Sequence, residues 1–180
     1  MPRDAAREDT APMARASKEI VVEAPLRSVY NQWTQFEEFP RFMDGVSEVK
    51  QLDDRRLAWR ASIGGREVEW EAEIQEQIPD EKIIWRSTSG EANAGLVSFR
   101  PAGDGRTEVH LEMSYEPQGL AEEVGSALGL VEGKVEGDLK RFKDFIEERG
   151  GHETGGWRGE IANGNVSGGH TGDVGQTRER

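Results

Sequence analysis

The chain has no cysteine among its 180 residues. This absence excludes a disulfide scaffold, a thiolate nucleophile and a zinc site built on cysteine. Histidine is also scarce. His110 has the outward parity of Glu108 and Glu112 in a predicted strand, and His152 and His170 lie in a glycine-rich C-terminal region. Because no histidine has carboxylates at ligand spacing, we predict no metal site, and nothing in the sequence calls for a cofactor.

Basic residues are too few to balance the acidic ones. There are 23 Lys and Arg against 35 Asp and Glu, which gives a formal net charge of -12. Nucleic acids and anionic membranes both attract basic surfaces, so we expect neither as a main partner. Long apolar runs are absent too, and residues 1–16 lack the apolar core of a signal peptide. We therefore expect a cytoplasmic protein without integral membrane association.

The hydrophobic fraction, 34%, is low for a fully globular chain, so part of the sequence should lie outside the core. Residues 1–16 are polar and without periodicity, and we predict a disordered N-terminal arm. Residues 150–180 are rich in glycine and are predicted to form a flexible tail. In that tail Trp157 and Arg158 are either a docking point, on the domain or on a partner, or simply solvated. One folded domain is expected at residues 17–149.

The last apolar segment, Gly119 to Glu148, predicts a long amphipathic helix. Its apolar residues recur at steps of three and four and form one arc: Leu120, Val124, Leu128, Val131, Val135, Leu139, Phe142 and Ile146. A helix of this length needs a large partner surface. Asp138 is the polar residue inside the arc. Glycines at 125, 129, 133 and 137 lie opposite the arc, which indicates either close approach of another helix or subunit, leaving a homodimer open, or a soft or kinked helix.

The sequence from Ser17 to Tyr115 predicts strands that could supply this surface. A strand at Ser17–Glu23 is followed by a short helix from Leu26 to Trp33 and by a second helix, broken at Pro40, over Phe36–Met43. This aromatic-rich segment is either core packing or a lid over a pocket. Further alternating stretches predict antiparallel strands at Val46–Leu52, Arg56–Ile63, Arg66–Ile78, Glu81–Ser89, Asn93–Arg100 and Thr107–Tyr115.

Gly64-Gly65 is a two-residue hairpin signal that fixes one register. If Ile63 faces Arg66, Trp59 lies directly opposite Trp70. The same register pairs Arg60 with Glu69 and Arg56 with Glu73 on the other face. A loop at Pro79–Lys82 then places Trp85 on the face of Trp70.

These elements predict an α+β fold in which a curved antiparallel sheet buries its apolar face against the long helix. If side chains do not fill the interior, an apolar pocket forms between sheet and helix. The candidate ligand-binding residues are Phe39, Phe42, Met43, Trp59, Trp70, Trp85, Val97, Phe99, Met113, Tyr115, Leu128, Val131 and Val135. Tyr115, Ser87 and the tryptophan N–H groups could orient a polar ligand head by hydrogen bonds.

Three stretches resemble the SRPBCC (START-like) superfamily, and within it the bacterial polyketide cyclase/dehydrase and coenzyme Q-binding subgroup. They are APLRSVYNQWTQFEEFPRFMDGVSEV, WRSTSG and GDLKRFKDFIE. The resemblance covers Ser17 to Arg149. It implies the helix-grip (Bet v 1-like) fold, with a hydrophobic cavity between the curved sheet and the C-terminal helix. Members bind lipids, quinones, polyketides or hormones, and some catalyse cyclisation or dehydration.

Three hypotheses for function follow. The first is binding of a hydrophobic small molecule, such as a lipid, a quinone or a polyketide-like aromatic. The second is a polyketide aromatase/cyclase or dehydratase, which needs an acid or base in the cavity. Glu76, Asp138 and Tyr115 are the candidates, because Glu76 has the inward parity of Trp70 and Asp138 interrupts the apolar arc. The third is a stress-related or protein-interaction module with a filled core.

Overall fold

The computed structural model describes residues 14–63, 65–90, 92–115, 124–163 and 165–168. Within these ranges the elements up to the long helix follow the predicted order, and two short strands after it were not predicted. The elements are β1 (Ala14–Val22), α1 (Leu26–Trp33), a 3₁₀ helix (Phe36–Arg41), β2 (Val46–Gln51), β3 (Arg56–Ile63), β4 (Arg66–Ile78), β5 (Lys82–Gly90), β6 (Asn93–Pro101), β7 (Thr107–Tyr115), α2 (Val124–Glu148), β8 (Glu160–Ala162) and β9 (Asn165–Ser167).

The strands form one antiparallel sheet in the order β1-β7-β6-β5-β4-β3-β2, and β8 and β9 extend it from the end of β4. The long helix α2 packs along β1 and β7. One face of the sheet and one side of α2 enclose a single apolar core. This arrangement confirms the predicted α+β helix-grip fold. No helix in the ranges given above is long and apolar enough to cross a membrane.

The hairpin register predicted from Gly64-Gly65 is confirmed. Ile63 pairs with Arg66, and Trp59 pairs with Trp70. Arg60 forms the expected cross-strand ion pair with Glu69, with 3.1 Å between Nε and the carboxylate. The second ion pair is not made, although Arg56 and Glu73 are register partners. Arg56 instead forms an ion pair with Asp53 in the turn before β3. Glu73 forms an ion pair with Arg55, at 2.8 Å.

The apolar arc of the long helix is buried where its side chains are described. Val135, Phe142 and Ile146 are fully buried, and Val131 and Leu139 nearly so. The predicted helix start at residues 119–123, and the side chains of residues 124–130, lie outside the described part. The two described glycines of the four-residue spacing, Gly133 and Gly137, do not contact a second helix. A Cβ on Gly133 would have open space around it, and a Cβ on Gly137 would meet only the Arg141 side chain.

The predicted second helix is a short 3₁₀ helix, and it is not broken at Pro40, which lies inside it. Phe36, Phe39 and Phe42 are buried. Their rings form an edge-to-face cluster with Trp33, whose ring centroid is 5.3 Å from that of Phe42 and 5.1 Å from that of Phe142. The segment therefore packs in the core and joins α1 to α2, as the core interpretation predicts.

The two chain ends differ from the predictions. Ala14–Ala16, placed in the disordered arm, belong to β1 and pair with β7, because the outward alternation of β7 continues to Tyr115. The expectation of a flexible tail does not hold for residues 150–163 and 165–168, which we call the strap. It crosses α1 and ends in β8 and β9, with Ile161 fully buried. The N-terminal residues 1–13 and the C-terminal residues 169–180 lie outside the described ranges.

The strap is held by polar side chains of α1. The Gln32 side-chain amide donates to the Thr154 hydroxyl at 2.9 Å and accepts from the Thr154 backbone N–H at 2.8 Å. The backbone N–H of Trp157 donates to the hydroxyl of Thr34, the residue after α1, at 3.0 Å. Arg158 donates to Asn31 at 2.7 Å and pairs with Asp80 at 2.8 Å. These bonds explain why Asn31, Gln32 and Thr34 are polar and yet buried.

Candidate functional site

Three tryptophans stack at the centre of the concave face. The ring of Trp59 lies 5.5 Å from that of Trp70, with 12° between the planes, and 6.3 Å from that of Trp85, with 20° between the planes. Gly95 is the cross-strand partner of Trp85, and a Cβ there would lie 2.3 Å from the indole ring. The glycine therefore lets the Trp85 ring lie flat on β6, which holds the three rings nearly parallel.

This stack forms the floor of a small cavity. The other lining residues come from the loop before β2, from β2, β3, β6 and β7, and from α2: Met43, Gly45, Val46, Ala61, Ser62, Asn93, Met113 and Lys134. The cavity measures about 10 Å³, which is room for about one water molecule. Gly45 and Ser62 are exposed, so the cavity opens at the rim that they form with Lys134.

Two hydrogen-bond donors of the stack are unused. The indole N–H groups of Trp59 and Trp70 are buried and have no hydrogen-bond partner within the described ranges. An unpartnered buried donor costs roughly 1 to 3 kcal/mol. Both residues line the cavity, so an acceptor within reach of their N–H groups, from a water or a ligand, would recover this free energy.

Asp138 is buried, as its position in the apolar arc predicts. Its carboxylate accepts a 2.7 Å hydrogen bond from Arg141, lies 3.5 Å from Lys134 Nζ and accepts the N–H of Asp44 at 3.2 Å. Burial raises the pKa of Asp138, and these three donors act against that rise. Lys134 and Arg141 also donate to the carbonyls of Asp44 and Phe42, at 2.6 and 3.0 Å. We call Lys134, Asp138 and Arg141 the mouth cluster, because it fastens the loop beside the cavity rim to α2.

Glu76 is not in the interior, contrary to its predicted inward parity. The register of β4 against β5 shifts between Ile74 and Glu76, which marks a β-bulge. Beyond the extra residue, the side chains that would have faced the interior face solvent and the reverse. Gln77 is therefore buried in place of Glu76. Glu76 is partly exposed and pairs with Lys82 at 3.1 Å. It therefore cannot deliver a proton to the cavity.

The remaining predicted site residues divide into two groups. Met43, Trp59, Trp70, Trp85 and Met113 line the cavity together. Phe39, Phe42, Val97, Phe99, Val131 and Val135 are buried in the surrounding core. The side chains of Tyr115 and Leu128 lie outside the described part. Ser87 accepts a hydrogen bond from the N–H of Asn93 at 3.1 Å, so it supports a lining residue.

Sequence reasoning missed Lys134, Asn93 and Gly95. Lys134 belongs to no motif in the sequence, and only the fold brings it to the cavity. A glycine inside an alternating strand is a signal that could have pointed to Gly95, because it often marks close approach of another group. No set of three or more potential metal ligands occurs among the residues described.

Comparisons with known proteins agree with this architecture. A protein of Streptomyces lincolnensis described as an uncharacterised 17.2 kDa protein is 48% identical over 150 residues, which cover 83% of this chain and 99% of the relative. A crystal structure of a Deinococcus radiodurans protein is 30% identical, with a TM-score of 0.58, and the match covers 76% of this chain and 98% of that one.

Two further solved structures share the fold at 16% identity. One is an aromatase/cyclase from a Streptomyces species, with a TM-score of 0.62 over 76% of this chain and 95% of that one. The other is a START superfamily protein from Mycobacterium smegmatis, with a TM-score of 0.63 over 75% of this chain and 98% of that one. The family model described as polyketide cyclase/dehydrase and lipid transport matches residues 22–144. The chain belongs to this family.

Proposed function

We propose that the chain binds a hydrophobic small molecule, a lipid, a quinone or a polyketide-like aromatic, against the stack of Trp59, Trp70 and Trp85. The observation that carries the proposal is the stack itself, with two buried and unpartnered N–H groups beside a cavity that opens at the surface. Parallel rings offer a flat apolar surface, and the indole donors offer a fixed place for a ligand oxygen. Membership of the family supports a ligand-binding or cyclase role.

Ligand entry requires the cavity to grow. Sites for small molecules commonly measure several hundred Å³, far above the present 10 Å³. Met43 and Met113 both line the cavity, and methionine adapts its shape more readily than branched or aromatic residues. We expect these two side chains to move aside while the tryptophans keep their places in the sheet.

Two other functions were considered from the sequence. The small cavity volume favours an interaction module with a filled core, and this is the second candidate. A cyclase or dehydratase needs an acid or base at the cavity. Neither Glu76 nor Asp138 lines it, and Asp138 is already bound to two cations and a backbone N–H. At these two positions the geometry favours binding over catalysis, whereas the side chain of Tyr115, the third candidate, lies outside the described part.

The test is native mass spectrometry of the protein purified from its own host, followed by extraction and mass analysis. We expect a co-purifying apolar molecule in the wild type. The control is a pair of variants, Met113→Trp, which fills the cavity, and Val21→Trp, which adds the same side chain at an exposed position of β1. The molecule should be lost from the first and kept by the second. Absence of any ligand, together with insensitivity of tryptophan fluorescence to a fatty acid, a naphthoquinone and an aromatic polyketone, would favour the filled-core module.

A further inference from the structure

Three hydrogen-bond donors at the cavity are available to a ligand. Trp59 and Trp70 each present an N–H that has no partner among the described residues. Lys134 also lines the cavity, and its ammonium has three N–H bonds, of which two are directed to the carbonyl of Asp44 and to Asp138. One N–H of Lys134 therefore remains for a ligand. These three donors favour a ligand that carries oxygen acceptors.

The net charge of the mouth cluster also favours a ligand that carries negative charge. In the mouth cluster two cations share one carboxylate, so with Asp138 ionised the cluster carries one net positive charge, and with Asp138 protonated it carries two. The protein as a whole is strongly acidic, at -12. A local excess of positive charge beside an apolar cavity attracts an anion and orients its approach. The side chain of Lys134 is 24% exposed, so its ammonium can meet a ligand at the rim.

We propose that the ligand is an aromatic or otherwise apolar anion, whose carboxylate or enolate oxygen binds Lys134 at the rim while its apolar part lies on the tryptophan stack. This inference rests on the proposed function and specifies its ligand class. The two indole N–H groups then serve a second oxygen deeper in the cavity, as on a keto acid or a carboxylated quinone. Lys134 is then a specificity-determining residue, and Asp138 positions its ammonium through the i,i+4 ion pair.

The experiment compares naphthoate with its uncharged methyl ester by calorimetric or fluorescence titration. We expect the wild type to prefer the carboxylate by about tenfold, equivalent to about 1.4 kcal/mol. Lys134→Met should lower that preference to about onefold, and Lys134→Arg should keep most of it, because the charge remains. The matched control is Lys140→Met, since Lys140 is an exposed lysine of the same helix that pairs with Glu136 and does not line the cavity. Its preference should equal that of the wild type.

The outcomes separate the two proposals. If both probes bind the wild type equally, or the ester binds more tightly, the anionic ligand is refuted and the binding function stands. If neither probe binds and no apolar ligand co-purifies, the binding function itself fails. An equal loss of preference in Lys140→Met and Lys134→Met would also refute the role of Lys134, because a general charge effect would explain it. Thermal melting of each variant establishes that it is folded before titration.

Discussion

Trp59 and Trp70 lie directly opposite each other on β3 and β4, with ring centroids 5.5 Å apart and planes 12° apart. This relationship follows from a short hairpin that fixes the register and from alternation that directs both side chains to the concave face. It connects the sequence to the proposed function, since the same two rings form the floor of the cavity. A shift of one residue in register would put the two rings on opposite faces of the sheet.

The docking of α2 depends on burial of its apolar arc. Val135 is fully buried within it. Val135→Asp places an unpaired charge in the core and should lower the free energy of unfolding by roughly 3 to 5 kcal/mol. Glu136→Asp, at the exposed neighbouring position, is the control and should change it by less than about 0.5 kcal/mol. Chemical denaturation measures both, and near-wild-type stability of Val135→Asp would mean that the helix packs in another orientation.

The β-bulge of β4 determines which of two glutamines is buried. Gln75 and Gln77 would share one face of an unbroken strand, but the bulge leaves Gln75 exposed and Gln77 buried. Gln77→Glu should therefore lower the free energy of unfolding by roughly 3 kcal/mol, the scale of an unpaired buried charge. Gln75→Glu, the same chemical change, should lower it by less than about 0.5 kcal/mol. Equal effects at the two positions would contradict the bulge.

The strap packs closely against α1 at Gly156, where there is no room for a side chain. A Cβ on Gly156 would lie 2.6 Å from Cγ of Asn31, closer than nonbonded atoms can come. Gly156→Ala should displace the strap and increase both its proteolysis and the hydrogen exchange of β8. Gly133→Ala is the control, since a Cβ there meets nothing within 4 Å, and it should stabilise α2 by up to about 1 kcal/mol. An undisturbed strap in Gly156→Ala would refute this packing.

Tyr30 reports on the layer beneath the strap. Burial raises the pKa of its hydroxyl to about 12, and neighbouring Gln77 and Arg158 only partly offset this. The folded chain therefore holds the proton more tightly than the unfolded chain, whose tyrosine titrates near pH 10. The resulting stabilisation, roughly 2 to 3 kcal/mol, is complete below about pH 10 and is lost as the pH rises towards 12.

Tyrosinate absorbance measures this titration directly. The chain has two tyrosines, so Tyr115→Phe leaves Tyr30 as the single reporter. We expect its ionisation to coincide with alkaline unfolding. Reversible ionisation near pH 10 in the folded protein would contradict the burial of its hydroxyl.

The sequence was sufficient to predict the elements up to α2, the hairpin register and the buried arc, because each follows from local periodicity or from one turn. It was not sufficient for the bulge before Glu76, since an inserted residue in a strand of alternating Glu and Gln leaves no mark in the composition. The strap was missed for a different reason. It is held by hydrogen bonds to Asn31 and Gln32, more than 120 residues away, and such contacts have no local pattern.

The candidate site shows the same division. The tryptophans were predicted from parity, whereas Lys134 reached the site only through the packing of α2. Cavity volume depends on how every side chain packs, so the sequence could not indicate an interior this nearly filled.

Binding at the tryptophan stack is tested most directly by nuclear magnetic resonance of the indole N–H groups. The chain has five tryptophans and so five such signals, which single Trp→Phe variants assign. Titration with naphthoate should shift the signals of Trp59 and Trp70 most. The signal of Trp33, which is equally buried and unpartnered but packs in the aromatic cluster, and that of Trp157 in the strap should stay in place. Shifts confined to Trp157 or Trp33, or no shifts with any of the apolar probes, would contradict the account.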